Sequence, residues 1–145
     1  MFLISPLDLD DLKIILEIEN KLNPSPWKEE TFLSSINVGH RGLICKSQKI
    51  ICGFIIFSVI KKDAHILNIG VQKKYQRKGA GQLLISSMIK QCKVMGVKDI
   101  FLEVRVSNLN AINFYRKLNF NDDAIRAEYY PGNPKEDALL MSRKL

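Results

Sequence analysis

No apolar run in this chain is long enough to cross a membrane as a helix. The longest, Ile50 to Ile60, falls well short of the roughly 18 to 20 residues required, and its β-branched content reads as a buried strand. A secretory leader is also missing. The chain opens MFLISPLDLDD, with Asp8, Asp10 and Asp11 where a leader would carry basic residues and a long apolar core. These absences predict a cytoplasmic protein with no membrane partner. Cysteine is scarce: Cys45, Cys52 and Cys92 are odd in number, lie in apolar surroundings and lack CxxC spacing. They read as reduced core residues, not as a disulfide framework or a zinc site. His40 and His65 have no partner at metal-ligand spacing and receive no function. Repeats and low-complexity segments are absent too, so the 145 residues fit one domain, 1–145, with a core of its own.

Positive charge is what the chain has in excess, +7 at pH 7. A basic surface attracts phosphate from any source, so charge alone admits a non-enzymatic RNA- or ribosome-binding protein. Here, however, Lys73, Lys74, Arg77 and Lys78 crowd together beside glycines. The charge is local, and no direct nucleic-acid role is expected.

Periodicity places the elements. Phe2 to Ser5 reads as a strand; Leu12, Ile15 and Leu16 have helical spacing after an acidic start. In NPSPWKEETF, Pro26 suits a first helical position and Glu29 and Glu30 a first turn, for a short helix to about Ile36. Arg41 to Cys45, Ile50 to Ile60 and Ala64 to Val71 read as an antiparallel meander, with Gly70 marking a bulge or a close approach. A helix follows from Ala80 to Met95, stopped by Gly96, and then a strand from Asp99 to Val106. Asn108 can cap a helix with an inner stripe of Ala111, Phe114, Tyr115 and Leu118. Phe120 to Ala127 and Asp137 to Met141 read as the last strands. The fold class is α/β, a mixed central sheet of about seven strands flanked by about four helices.

The stretch YQRKGAG, Tyr75 to Gly81, joins a strand to a helix. Glycines cost backbone entropy and neighbouring cations repel, so the combination points to an anion. Free N–H groups at a helix start bind phosphate oxygens, and Gly79 and Gly81 would let a pyrophosphate approach while Arg77 and Lys78 add charge. A Walker loop does not fit, for want of GxxxxGK[ST], and a dinucleotide fingerprint does not fit, for want of the third glycine. Glu103 lies opposite the apolar face of its strand, either as part of a solvated face or as a general base.

Gln76-Arg77-Lys78-Gly79-Ala80-Gly81 resembles the acyl-CoA loop of the GNAT N-acetyltransferases. Four longer blocks, NPSPWKEETF, LNIGVQKKYQRKGAGQLL, GVKDIFLEVRVSNLNAINFYRKLNF and YYPGNPKEDALLM, resemble the RimI-type ribosomal-protein N-terminal-alanine acetyltransferases in the same order and over nearly the whole chain. The resemblance implies a GNAT fold, acetyl-CoA as co-substrate, no metal, and a protein N-terminus, that of a small-subunit ribosomal protein, as acceptor. It implies that Ile69, Gly70 and Val71 bind the pantetheine arm, and that Arg77, Lys78, Gly79, Ala80, Gly81 and Gln82 hold the pyrophosphate. It further implies that Asn108 contacts the cofactor, that Glu103 accepts the amine proton and that Tyr115 protonates the departing sulfur. Tyr129 and Tyr130 either grip the acceptor or pack a hairpin end, and Trp27 is either a core anchor or an acceptor wall. A small amine or a lysine is the alternative acceptor. The expected unit is a monomer. Two departures from the family pattern stand out: Gln72-Lys73-Lys74 where proline is usual, and Leu118-Asn119-Phe120 in place of LGF.

Overall fold

The first helical segment is set by acidic caps. Asp8 accepts the Asp10 N–H at 3.2 Å while Asp11 accepts the Asp8 N–H at 2.8 Å, a reciprocal arrangement that satisfies amides with no helical acceptor. A computed structural model describes residues 1–145. The strands are β1 (Phe2–Pro6), β2 (Arg41–Ser47), β3 (Ile50–Ile60), β4 (Asp63–Val71), β5 (Asp99–Arg105), β6 (Asn121–Tyr130) and β7 (Glu136–Lys144). The helices are α1 (Leu12–Leu22), α2 (Glu29–Asn37), α3 (Ala80–Val94) and α4 (Leu109–Lys117). One 7-stranded sheet runs in the order β1-β2-β3-β4-β5-β7-β6. Every neighbouring pair is antiparallel except β4 and β5, which are parallel and joined through α3.

Alternation along the strands divides the core in two. Leu43, Ile55, Ile66, Ile100 and Leu102 face α3 and α4, whose Leu84, Met88, Ile112 and Tyr115 close the larger cluster. Ile44, Phe54 and Ile56 point the other way, onto Ile15 and Ile18 of α1 and Phe32 of α2. The three cysteines are free and fully buried, as their apolar settings predict.

Several expectations shift. Pro26 does not open α2; Lys28 is extended at the N-cap (φ −86°, ψ 165°), and the Trp27 N–H is taken by the Glu19 carboxylate at 3.0 Å. The bulge is not at Gly70. Phe57 pairs with Ile66 and Ile56 with Asn68, so Leu67 is the extra residue. A Cβ at Gly70 would instead meet the Phe54 ring at 3.0 Å and Leu22 at 3.3 Å. In α4 the buried positions are Ile112 and Tyr115, with Ala111, Phe114 and Leu118 only partly covered. The last two strands outrun their sequence signal because β6 is exposed on nearly every residue and shows no alternation.

The end of α4 ties backbone geometry to a side chain of interest. Asn119 adopts φ 68°, its N–H bonds the Arg116 carbonyl at 3.0 Å, and the Phe120 N–H bonds the Tyr115 carbonyl at 3.0 Å. This is a Schellman turn, and its apolar contact is the Phe120 ring against the Tyr115 ring, centroids 5.7 Å apart. Asparagine tolerates the left-handed conformation better than other non-glycine residues. Asn119→Ala is therefore expected to cost about 1 kcal/mol, and Asn119→Gly less than about 0.5 kcal/mol either way. Urea midpoints with an unchanged denaturant slope check both values.

Candidate active site

The parallel pairing of β4 and β5 is short: Asp63, Ala64 and His65 pair with Asp99, Ile100 and Phe101, and no further. β4 continues to Val71 and β5 to Arg105. The two strands thus separate, and the sheet splits between them. Ile69, Gly70 and Val71 form the far end of the β4 wall and remain paired with β3 on their other side. Gly53 enforces that side, since a Cβ there would stand 2.8 Å from the Gly70 carbonyl oxygen.

Beyond Val71 the chain turns into α3. Gly79 is the N-cap, left-handed at φ 95°, and a Cβ there would meet nothing within 4 Å. Its conformation selects glycine, and the space before it is open. The first helical hydrogen bond runs from the Leu83 N–H to the Gly79 carbonyl at 3.0 Å. Arg77, Lys78, Gly79, Ala80, Gly81 and Gln82 donate their N–H groups to no backbone acceptor. Consecutive free amides at the positive end of a helix suit an anion such as a diphosphate. Arg77 takes φ 60°, and the Gln76 side chain clamps the loop entry by donating to the Val71 carbonyl at 2.8 Å. Gly81 has a different steric reason from Gly79: its missing Cβ makes room for the Phe114 ring, 3.1 Å away.

At the other end of the split stands Glu103. Its Oε2 lies 2.5 Å from His65 Nε2, with the two side chains 19% and 35% exposed. Tyr130 is the next group. Burial first, and then the neighbouring charges of Glu103 and Tyr129, push its phenol from 10.0 up to about 12, with Arg105 opposing. Tyr115 follows: burial, with Tyr130 adding to it, raises its phenol well above the ordinary value. The residue is 6% exposed, and its hydroxyl makes none of the side-chain hydrogen bonds. Asn108 caps α4, its Oδ1 accepting the Ala111 N–H at 3.2 Å, which leaves its amide nitrogen free to donate.

Two polar knots hold the surrounding loops. Glu19, 2% exposed, collects the Asn68 and Asn23 side-chain amides and the Trp27 N–H on one oxygen, at 2.9, 3.2 and 3.0 Å. Arg105 reaches Glu136 at 3.1 Å and Ser25 at 3.2 Å, and stands 4.5 Å from the Tyr130 ring centre. It therefore links the α1–α2 loop to the β6–β7 loop. Of the predicted acceptor residues, Tyr130 is partly buried under Arg105, while Tyr129 is exposed under Arg126 at 4.7 Å. Trp27 stacks edge-on against Phe32, centroids 5.0 Å apart, and lines a groove of about 480 Å³ with Glu30, Ser34, His40 and Leu67.

Residues 12–120 match the Acetyltransferase (GNAT) family. The chain belongs to that family. It is 38% identical, over 96% of its own length and 95% of the other's, to the [Ribosomal protein bS18]-alanine N-acetyltransferase of Escherichia coli K12. The enzyme of the same name from Haemophilus influenzae is 36% identical and covered to 98% on both sides. The crystal structure of the Escherichia coli ribosomal-protein-S18-alanine N-acetyltransferase superposes with a TM-score of 0.92 at 35% identity, over 99% of this chain and 94% of that one.

Within this GNAT chain, sequence reasoning overlooked His65, Arg105 and Glu19. For His65 a signal existed. It alternates with buried Ala64 and Ile66, which places it on the same face as Glu103. Arg105 and Glu19 bond across long sequence separations, to Glu136 and to Asn68, and no local pattern encodes such pairs.

The Tyr130 value sets a pH dependence. A phenol kept protonated in the native state while the unfolded one ionises near 10.0 makes stability fall as pH rises from about 10 toward about 12. Tyr130→Phe should flatten that decline. It should also leave the phenolate absorbance below pH 11 unchanged, as a spectrophotometric titration will read.

Proposed function

We propose that this chain, acting as one domain and as a monomer in the cytoplasm, transfers the acetyl group of acetyl-CoA to the N-terminal alanine of a ribosomal protein. The observation that carries this reading is the split between β4 and β5, which has an amide cradle for a diphosphate at one end and a carboxylate at the other. The whole-length likeness to bS18-alanine N-acetyltransferases supplies the acceptor class. One copy of the chain carries both ends of the site, so a second copy is not needed to complete it.

The cradle from Arg77 to Gln82 would hold the diphosphate, and the unpaired edge at Ile69, Gly70 and Val71 would hold the pantetheine amides, with Asn108 adding a donor. Acetyl-CoA contributes an acyl group already activated as a thioester. An amine attacks such a group only as the neutral base. At pH 7 deprotonation costs roughly 1 kcal/mol for an α-amine, with pKa near 7.7 to 8.0, and more than about 4 kcal/mol for lysine. A part-buried carboxylate, 19% exposed, fits the smaller task. Glu103 takes the amine proton as the new C–N bond forms, and Tyr115 offers its hydroxyl hydrogen to the departing sulfur as the C–S bond breaks. No acyl-cysteine step is involved. All three thiols are buried, and burial holds Cys45 near about 12 and Cys92 near about 11, far from the reactive thiolate.

The test mixes enzyme, acetyl-CoA and two peptides, one with a free N-terminal alanine and one with a blocked N-terminus and an internal lysine. Mass spectrometry is expected to find acetyl on the first alone; modification of the lysine peptide only would transfer the proposal to the alternative acceptor. Glu103→Gln should lower kcat by about 100-fold to 10,000-fold while heat of coenzyme A binding persists.

A further inference from the structure

We infer that His65 is a positioning residue for Glu103: its Nε2–H occupies Oε2 of the carboxylate and leaves Oε1 as the oxygen offered to the acceptor amine. This rests on the reading of Glu103 as the base.

The geometry begins with the strands. His65 sits on the last rung of the parallel ladder, opposite Phe101. Glu103 lies two residues beyond Phe101 on the same face of β5, where no main-chain bond joins the strands any longer. The 2.5 Å contact between Nε2 and Oε2 therefore crosses the split one step past its apex, side chain replacing backbone. At that distance one proton must lie between the two atoms, and the nitrogen is its natural carrier when the carboxylate is ionised. The other neighbours of Glu103 do not fix it in this way. Arg105 spends its guanidinium on Glu136, Ser25 and the face of Tyr130, and Tyr130 makes no hydrogen bond to the carboxylate. A free glutamate samples several rotamers, and a base misplaced by about an ångström loses much of its effect. The bridge from β4 removes that freedom at the one point where the strands part.

A purely structural clasp makes a different prediction. Its loss would let β4 drift and would raise the KM for acetyl-CoA. A positioning role lowers kcat and leaves the KM values alone. The experiment measures kcat and both KM values on the alanine peptide for wild type, His65→Ala, His65→Gln, Glu103→Gln and the His65→Ala, Glu103→Gln pair. His65→Ala should lose about tenfold in kcat with each KM within about twofold. His65→Gln should recover most of that loss, because its amide nitrogen takes the place of Nε2. The double variant should be no slower than Glu103→Gln alone, since His65 acts through the carboxylate. Three results would overturn the inference: wild-type kcat in His65→Ala, equal losses in the Gln and Ala variants, or a change confined to the acetyl-CoA KM. Failure of the parent reading is distinguishable. If Glu103→Gln turns over normally, the base is elsewhere. The nitrogen-bound imidazole proton of His65, seen by NMR in wild type and lost in Glu103→Gln, still reports whether the bridge exists, and its absence in wild type ends the proposal independently of activity.

Discussion

β4 and β5 hold one another for three rungs and then part, and the chemistry of the molecule depends on that parting. Several local choices produce it. α3 must carry the chain from the end of β4 back to the start of β5, so the strands run parallel and meet only where the crossover returns. The extra residue Leu67 steps the register of β4 against β3 just past His65, and Asn68 is then drawn to Glu19 on α1. Gly53 presses against the Gly70 carbonyl, so the end of β4 follows β3. Main-chain groups left unpaired in a split must find water or a ligand, since leaving one buried and unmade costs about 1 to 3 kcal/mol. An extended, amide-bearing ligand would answer that requirement with strand-like hydrogen bonds.

The loop at the start of α3 concentrates unrelieved charge and backbone strain. Lys73, Lys74, Arg77 and Lys78 repel one another, Arg77 holds a left-handed backbone at φ 60°, and the amides from Arg77 to Gln82 have no backbone acceptor. A non-glycine residue in that conformation costs of order 1 kcal/mol or more, and such outliers persist where the surroundings impose them. Here the surroundings are the Gln76 clamp on Val71 and the Gln72 side chain on the Ile51 carbonyl, both at 2.8 Å. Glutamine thus stiffens the loop entry where the family more often has proline. A diphosphate would relieve the repulsion, satisfy the amides and align with the helix dipole in one step.

Much of this was legible in the sequence, and the gaps have physical causes. The loop was readable because a left-handed glycine before a helix is a local event, and Gly79 at φ 95° is one. Asn119 was readable for the same reason: asparagine is the residue that replaces glycine there, and φ 68° agrees. The faces of β5 followed from alternation, which places Ile100, Leu102 and Val104 in the core and Glu103 on the other side. Of the two readings of Gly70, bulge or close approach, the second holds, with the Phe54 ring and the Gly53 backbone against it; the bulge falls at Leu67, an ordinary residue made extra by register. The Arg105 and Glu19 knots were invisible, because nothing near either residue in sequence says which distant group it meets.

The raised phenols limit what Tyr115 can do. From ordinary values, about 10 for a phenol and about 8.5 for a thiol, full proton transfer to a departing thiolate is uphill by about 2 kcal/mol. Burial lifts the Tyr115 phenol further, so the gap widens. In the proposed mechanism a hydroxyl that stays neutral would still contribute: it would hydrogen-bond to sulfur as negative charge gathers there, and in a partly desolvated site that is worth more than in water. Tyr130 is held neutral as well, pushed up to about 12 by burial first and then by the neighbouring Glu103 charge. In the proposed reaction these environments would divide the labour: the carboxylate would accept the amine proton, and the buried phenol would lend its hydroxyl hydrogen to the departing sulfur.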